Sequence, residues 1–200
     1  MEFISNTEEL EAAYGTPGEA SLVKVADRLT PTYRKWIEAS KFCVLSTVGP
    51  EGLDGSPRGD DVPVVQELDE FTLAMPDWRG NNRMDSLRNI VRDPRVALMF
   101  MVSGSNNVVR INGEARVTFD DTLRGRFNDK GQLPRSVIVI KVAEVYSQCA
   151  RAIMRADIWR GQAAETDLPT VGDMLAELKD GFDGVTYDAD WGARAKKTMW

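Results

Sequence analysis

The apolar positions of this chain change their period along its length, and that change organises the molecule. Residues 7–14, Thr7-Glu8-Glu9-Leu10-Glu11-Ala12-Ala13-Tyr14, begin with acids that suit a helix N-terminus and stop at Gly15, which predicts a short helix. Gly15-Thr16-Pro17-Gly18 reads as a turn, and a second helix is expected over 19–28. A third starts at Thr30, which can cap it. Pro31 suits the first helical position, and Tyr33, Trp36 and Ile37 share one face. From Lys41 the texture becomes that of strands. Phe42-Cys43-Val44-Leu45-Ser46-Thr47-Val48 has strand composition, and Gly49-Pro50-Glu51-Gly52 is a turn into a hairpin that ends over 54–60. Residues 62–68 and 71–75 read as a second hairpin around Asp69-Glu70, with Pro63 admissible only near a strand start or at an edge.

One helix interrupts the strands. Over 79–92, Met84, Leu87, Ile90 and Val91 recur at helical spacing after Gly80, and Asp93-Pro94 ends the run. Residues 96–102 are continuously apolar, the mark of a well-buried strand. Residues 108–119 alternate, with Val109, Ile111, Ala115, Val117 and Phe119 on one side and a break at Asn112-Gly113 that predicts a bulge or sharp bend. A helix is expected at 121–129, a strand at 136–142, a helix at 146–159 and another at 170–179 capped by Thr170. An irregular end then carries Trp191 and Trp200. Six or so strands, mostly joined by short turns, predict a mainly β fold with flanking helices, an antiparallel barrel rather than a doubly wound parallel sheet. The expected organisation is a helical extension over 1–40, a barrel domain over 41–160 and a tail with a short helix over 161–200, one domain overall.

Composition removes whole classes of chemistry. The chain has no histidine, which excludes Ser-His-Asp and Cys-His catalysis, His-based metal sites and a proximal-His haem. Catalysis must then come from carboxylates, Lys, Tyr, an oxygen-held metal or a cofactor with its own chemistry. The net charge of −6 argues against a general nucleic-acid binder, which needs a basic surface. No apolar run approaches the roughly 20 residues of a membrane span. Met1-Glu2-Phe3-Ile4-Ser5 is not a secretory start, so a cytoplasmic location is expected. Cys43 and Cys149 form no C-x-x-C, and no G-x-G-x-x-G or P-loop is present.

The chemistry that remains points to an anion. Arg79, Asn81, Asn82 and Arg83 stand at the expected start of the 79–92 helix, directly after a strand. Free backbone N–H groups and the positive end of the helix dipole favour a phosphate there, and Arg83 can add bidentate contacts. The plainer alternative is that Asn81 or Asn82 caps the helix while the arginines face water. Arg58, in Ser56-Pro57-Arg58-Gly59-Asp60, can reach the same anion from the neighbouring strand or serve as an ordinary turn charge. Arg110 alternates opposite the apolar set, toward solvent or toward a ligand between subunits.

Taken together, these pieces resemble the pyridoxamine 5′-phosphate oxidase-like, FMN-binding split-barrel superfamily, and within it a group of FMN-dependent proteins of unknown substrate. The resemblance covers about residues 30–160. It is carried by Phe42-Cys43-Val44-Leu45-Ser46-Thr47, Ser56-Pro57-Arg58-Gly59-Asp60 and Gly80-Asn81-Asn82-Arg83-Met84-Asp85-Ser86-Leu87-Arg88-Asn89-Ile90. Asp93-Pro94-Arg95-Val96-Ala97-Leu98-Met99-Phe100, Arg110-Ile111-Asn112-Gly113 and Gln148-Cys149-Ala150-Arg151-Ala152 continue it, through to Trp159. The resemblance implies a six-stranded antiparallel split barrel, a homodimer, and FMN in the cleft between subunits. It places Asn82, Arg83 and Arg58 on the phosphate, where the reading of the helix start adds Asn81, and Ser56, Met75 and Pro76 near the ribityl chain or flavin ring. Gln148, Arg151 and Trp159 would line the cleft from the C-terminal side, with Arg110 on the same cofactor. It implies an oxidoreductase passing hydride through the flavin to a small substrate, with NAD(P)H as a candidate donor, or else a module that binds flavin, deazaflavin or another phosphorylated ligand without turnover. The chain departs from the oxidases proper: Asn82-Arg83 stands where they open the helix with Arg-Lys, Gln66-Glu67 follows Val64-Val65 where they carry a Lys, and their C-terminal Arg/His motif is absent. Those departures argue against pyridoxamine phosphate as the substrate.

Overall fold

A computed structural model describes residues 1, 3–128, 131–159 and 168–198, with the side chains of 196–198 left aside. Three helices lead in: α1 (Thr7–Tyr14), α2 (Glu19–Val23) and α3 (Pro31–Glu38). Thr30 caps α3 as expected, accepting from the Tyr33 N–H, while α2 is shorter than the expected 19–28 helix. Then come β1 (Phe42–Gly49), β2 (Gly52–Gly59), β3 (Gln66–Asp69), β4 (Thr72–Asp77), α4 (Asp85–Arg92), β5 (Arg95–Met101), β6 (Val108–Thr118), α5 (Asp121–Gly125) and β7 (Ser136–Gln148). Helices α6 (Arg151–Ala156), α7 (Val171–Leu178) and α8 (Gly184–Thr198) follow.

The strands form one antiparallel sheet in the order β2-β1-β5-β6-β7-β4-β3. It has seven strands rather than six, and it is not closed: β2 and β3 are its edges. β2 supplies the extra strand. Its sequence carries a single large apolar residue, Leu53, so its strand character comes from backbone pairing with β1 rather than from an apolar pattern. Pro57 fits this strand because β2 is an edge and its missing donor leaves no ladder bond unmade. Although β2 and β4 are well separated in the sheet order, their ends meet through side chains. Arg58 Nη1 donates to Asp77 Oδ1 at 2.6 Å and Trp78 Nε1 donates to Asp60 Oδ2 at 2.9 Å. The sheet therefore curls until its two sides nearly touch, and polar side chains span the split that backbone bonds leave open.

One large core fills the curl. Leu45, Leu73, Leu98, Phe100, Ile111, Ile138 and Ile140 are fully buried in it, and Tyr33 and Trp36 of α3 pack against it. Tyr33 ties the N-terminal segment down: its hydroxyl donates to the Lys24 carbonyl and accepts from the Ser147 N–H. Arg34 forms a two-point ion pair with Glu67, so this carboxylate anchors α3 to β3.

The break at Asn112-Gly113 is a bulge, as expected. Asn112 pairs with Glu144 while Gly113 pairs with Val142, so one extra residue sits on β7. Several boundaries moved. α4 begins at Asp85, not near residue 79, because the preceding loop holds Asn82 (φ 62°) and Met84 (φ 58°) in the left-handed region. The expected helix over 146–159 starts only at Arg151, since Glu144–Gln148 continue β7 by pairing with Val108–Asn112. The strand expected at 62–68 is reduced to β3, with Val64 and Val65 buried outside it. The 121–129 helix is five residues of α5. The C-terminal end is not irregular: Trp191 lies in α8, which packs against α7 through Gly172 and Gly184. Thr170 caps α7 in a reciprocal capping box with Asp173. The start of the expected 161–200 tail, residues 161–167, and Trp200 lie outside the described residues.

Candidate functional site

The split between β2 and β4 opens into a cleft of about 960 Å³. Strand periodicity builds its first wall. Asp54, Ser56 and Arg58 alternate on one face of β2 and all line the cleft. Their pairing partners on β1, Thr47, Leu45 and Cys43, lie beside them on the same face of the sheet and are buried. The second wall is the end of β4, Asp77 and Trp78, with the start of β7, Arg135 and Ser136, beside it. The loop from Gly80 to Met84 and the first turns of α4 form the third. Here α4 is locked down: Ser86 donates to Asp54 at 2.5 Å, and buried Asn89 donates to Thr47 at 3.1 Å.

Five guanidiniums line the cleft, those of Arg58, Arg83, Arg88, Arg92 and Arg135, against three carboxylates, Asp54, Asp77 and Asp85. The cleft thus has a local excess of positive charge in a chain whose net charge is −6. Val117, Phe119, Leu87 and Val91 contribute apolar surface, so the lining combines cationic and apolar groups. That is the lining expected for a flat ring joined to a phosphate.

The deepest of the five cations is Arg58. Its side chain is 19% exposed and paired to Asp77, which is 15% exposed. Arg58 Nε is buried without a partner, and so is Ser136 Oγ; they are the two such side-chain atoms among the described residues. Arg83 is shallower than its place in the sequence suggested. Its side chain is 78% exposed and held by Asp85 at 2.5 Å. Asn81 accepts from the Arg83 N–H, and Asn82 accepts from Arg135 Nη1 at 2.5 Å. Met84 has no side-chain cap bond to α4, and its left-handed backbone is unfavourable for a side chain of its kind. Strain of this sort concentrates where a loop is shaped for a ligand.

Asp60, which holds the Trp78 indole, has its carboxyl raised above the usual range by burial, against the lowering pull of its hydrogen bonds from Trp78 and from the backbone of Val62 and Asp61. Burial also pushes the Cys43 thiol up to about 12, with Arg58 pulling weakly the other way. A thiol so disfavoured as thiolate is inert at neutral pH. In a Cys149→Ser variant, no thiol should therefore react with a disulfide reagent at pH 8 until the protein is unfolded. Reaction of the folded variant would show that Cys43 is accessible.

The remaining expected residues are not at this cleft. Met75 is fully buried in the core and Pro76 is buried beside it, and neither lines the cleft; Met75 shares the core face of β4 with Leu73 and Asp77, and only Asp77 at the strand end, followed by Trp78, reaches the cleft. Arg110 donates to Gln148 at 3.3 Å and lies 5.4 Å over the Tyr146 ring. Gln148 lines a separate hollow of about 630 Å³ with Tyr33, Trp36 and Cys149. Arg151 is exposed on α6, and Trp159 donates to the Ser105 carbonyl at 2.7 Å. This second set gathers near the far end of β7, twelve residues from Ser136, about 40 Å along a strand. Within one chain the two sets do not meet. Asp77, Trp78, Arg88, Arg135 and Ser136 were not singled out from the sequence. Arg135-Ser136 carries no local signal, because a Ser that opens a strand looks ordinary until β4 and β2 are brought against it.

The family model for pyridoxamine 5′-phosphate oxidase matches residues 29–149, more than half of the chain. The chain belongs to the pyridoxamine 5′-phosphate oxidase family. Among curated proteins none matches the sequence. A crystal structure of a HupZ variant from Group A Streptococcus is 14% identical, covers 60% of this chain and 98% of its own, and superposes with a TM-score of 0.50, which shows a shared fold. A Lactobacillus delbrueckii protein provisionally described as a pyridoxamine 5′-phosphate oxidase is 24% identical over 60% of this chain and 95% of its own, with a TM-score of 0.49. An FMN-binding protein from Syntrophomonas wolfei is 12% identical over 72% and 97%, with a TM-score of 0.43. The matched span runs from Leu29 to Cys149, so the family's shared portion is the curled sheet with α3, α4 and α5, while α1, α2, α6, α7 and α8 lie outside it. No helix among the described residues is long and apolar enough to cross a membrane.

Proposed function

We propose that this member of the pyridoxamine 5′-phosphate oxidase family binds FMN in the cleft at the split and works as a flavin-dependent oxidoreductase on a small substrate. The observation that carries this reading is the buried, unused Arg58 Nε in a cleft whose cations outnumber its acids. A buried donor without a partner is costly, and a phosphate oxygen would satisfy it. Arg58 and Arg135, with the Asn81–Arg83 loop, would hold the phosphate, and Ser56 would lie along the ribityl chain. Trp78, Val117 and Phe119 would give the ring its apolar side. Bound flavin supplies two-electron hydride chemistry, so no side chain need act as nucleophile. The chain's own work is to anchor, to orient and to exclude water.

Exclusion of water calls for a second copy. Around the cleft Leu53, Val91 and Phe119 are 86%, 76% and 74% exposed, an open apolar rim that suits a protein partner. The Arg110, Gln148, Arg151 and Trp159 set, far from the cleft of its own chain, would serve the cleft of the other copy in a homodimer. NAD(P)H is the proposed electron donor, and the cytoplasm the proposed location.

The test is spectroscopic. The purified protein, or the stripped protein given FMN, should show flavin absorbance and run as a dimer on sedimentation. Anaerobic NADPH should bleach the flavin band. A protein that takes up no flavin would refute the reading, and one that holds flavin but is reduced by neither NADH nor NADPH would be a binding module.

A further inference from the structure

We infer that Ser136 is a ligand-binding residue, whose hydroxyl donates to the same phosphate oxygens as Arg58 Nε. The inference deepens the FMN reading above and rests on it. Ser136 is 2% exposed, lines the cleft, and has no hydrogen-bond partner for Oγ. Its position makes that unusual. Along β7 the side chains alternate, and Ser136 shares its face with Ile138 and Ile140, which are fully buried in the main core, while Val137 packs on the other face with Ala74 and Phe127. Ser136 thus stands at the cleft rim of an otherwise apolar face, where Ala or Val would pack without leaving a polar group unpaired.

What surrounds it identifies the ligand chemistry. Ser136 is paired across the ladder with Asp77, and Asp77 takes Arg58 Nη1 while Arg58 Nε is left over. Its neighbour Arg135 donates its backbone N–H to the Asp77 carbonyl and its guanidinium to Asn82. Two guanidiniums, one carboxylate and two unused buried groups therefore converge on one corner, which keeps a net positive charge. A hydroxyl donor beside an Arg N–H donor fits the oxygens of a phosphomonoester. The corner is assembled from β2, β4 and β7, so it pre-exists as part of the curled sheet and does not depend on the exposed Arg83.

The experiment compares Ser136→Ala and the near-isosteric Ser136→Cys, a poor donor, with the wild-type full chain stripped of ligand. Dissociation constants for FMN and for riboflavin, which lacks the phosphate, are read by flavin fluorescence, and the melting temperature of the ligand-free protein is read alongside. Both variants should bind FMN about tenfold more weakly, bind riboflavin as the wild type does, and melt no lower than the wild type when empty, because the hydroxyl removed had no partner. Wild-type FMN affinity in both variants would overturn the inference while leaving the flavin reading intact. Equal losses for FMN and riboflavin, or a lower melting temperature in the empty variants, would overturn it in favour of a packing role. If the wild type binds neither flavin, the flavin reading fails, and inorganic phosphate becomes the probe. A phosphate-induced rise in melting temperature that Ser136→Ala lacks would uphold the inference, and an equal rise in both proteins, or none in either, would overturn it.

Discussion

Arg58→Ala is expected to lower the affinity for FMN about a hundredfold, with the folded sheet retained. The magnitude follows from losing a charge-assisted contact to a phosphate in a partly dry site, which is about 2–3 kcal/mol. Two effects add in the same direction. The buried Nε donor, which has no protein partner, disappears, and Asp77, only 15% exposed, is left facing the incoming phosphate without its counter-charge. Asp77→Ala in the Arg58→Ala background separates the two: the double variant should recover the part due to repulsion and keep the part due to the lost contact. Arg58→Lys should recover little, because a lysine ammonium cannot occupy Asp77 and the Nε position together as the planar fork does. Fluorescence titration of FMN into each stripped protein measures the three variants beside the wild type. A single Arg58→Ala variant with the wild-type dissociation constant would remove the phosphate from this corner, and with it the basis for placing the cofactor between β2 and β7.

Gly113→Ala should destabilise the protein by about 3 kcal/mol and lower its melting temperature by about 6–12 °C. A Cβ built at this position would lie 2.1 Å from the Lys141 carbonyl oxygen and 3.3 Å from the Ala143 backbone nitrogen. Neither atom can retreat easily, since Lys141 is paired on both sides, to Glu114 of β6 and to Thr72 of β4. The bulge therefore needs a residue with no side chain at the point where β6 turns across β7. Gly55→Ala is the matched control: a Cβ there meets nothing within 4 Å, and the melt should be unchanged. Thermal unfolding followed by circular dichroism reads both. A Gly113→Ala protein melting within about 2 °C of wild type would show that β7 can shift to absorb the methyl group.

The elements that were legible in the sequence are those whose signal is local. Thr30 with Pro31 marked the start of α3, Thr170 marked α7, Asn112-Gly113 marked the bulge, and the apolar run at Val96 marked β5. The elements that moved were decided by distant partners. Glu144–Gln148 could extend as strand or wind into the following helix, and pairing with β6 chose strand. The run into α4 has helical spacing, but left-handed Asn82 and Met84 delay the helix to Asp85. The site divided along the same line. Arg58 and the Asn81–Arg83 segment were visible as residues, whereas their ranking was not: the shallow partner is Arg83 and the deep one Arg58.

By itself the sequence determined that the fold is mainly antiparallel β, that no histidine chemistry is available, and that cations cluster around residues 58 and 79–83 of an otherwise acidic chain. These follow from composition and from periods of two and 3.6, which need only near neighbours. The curl of the sheet was decided by tertiary structure alone. It carries Arg58 from one edge to Asp77 and Ser136 near the other, and it shuts Ser136 and Arg58 Nε away from water with nothing to bond. No local pattern encodes that meeting, because β2 is connected to the paired strands β4 and β7 only through the intervening ladder of the sheet.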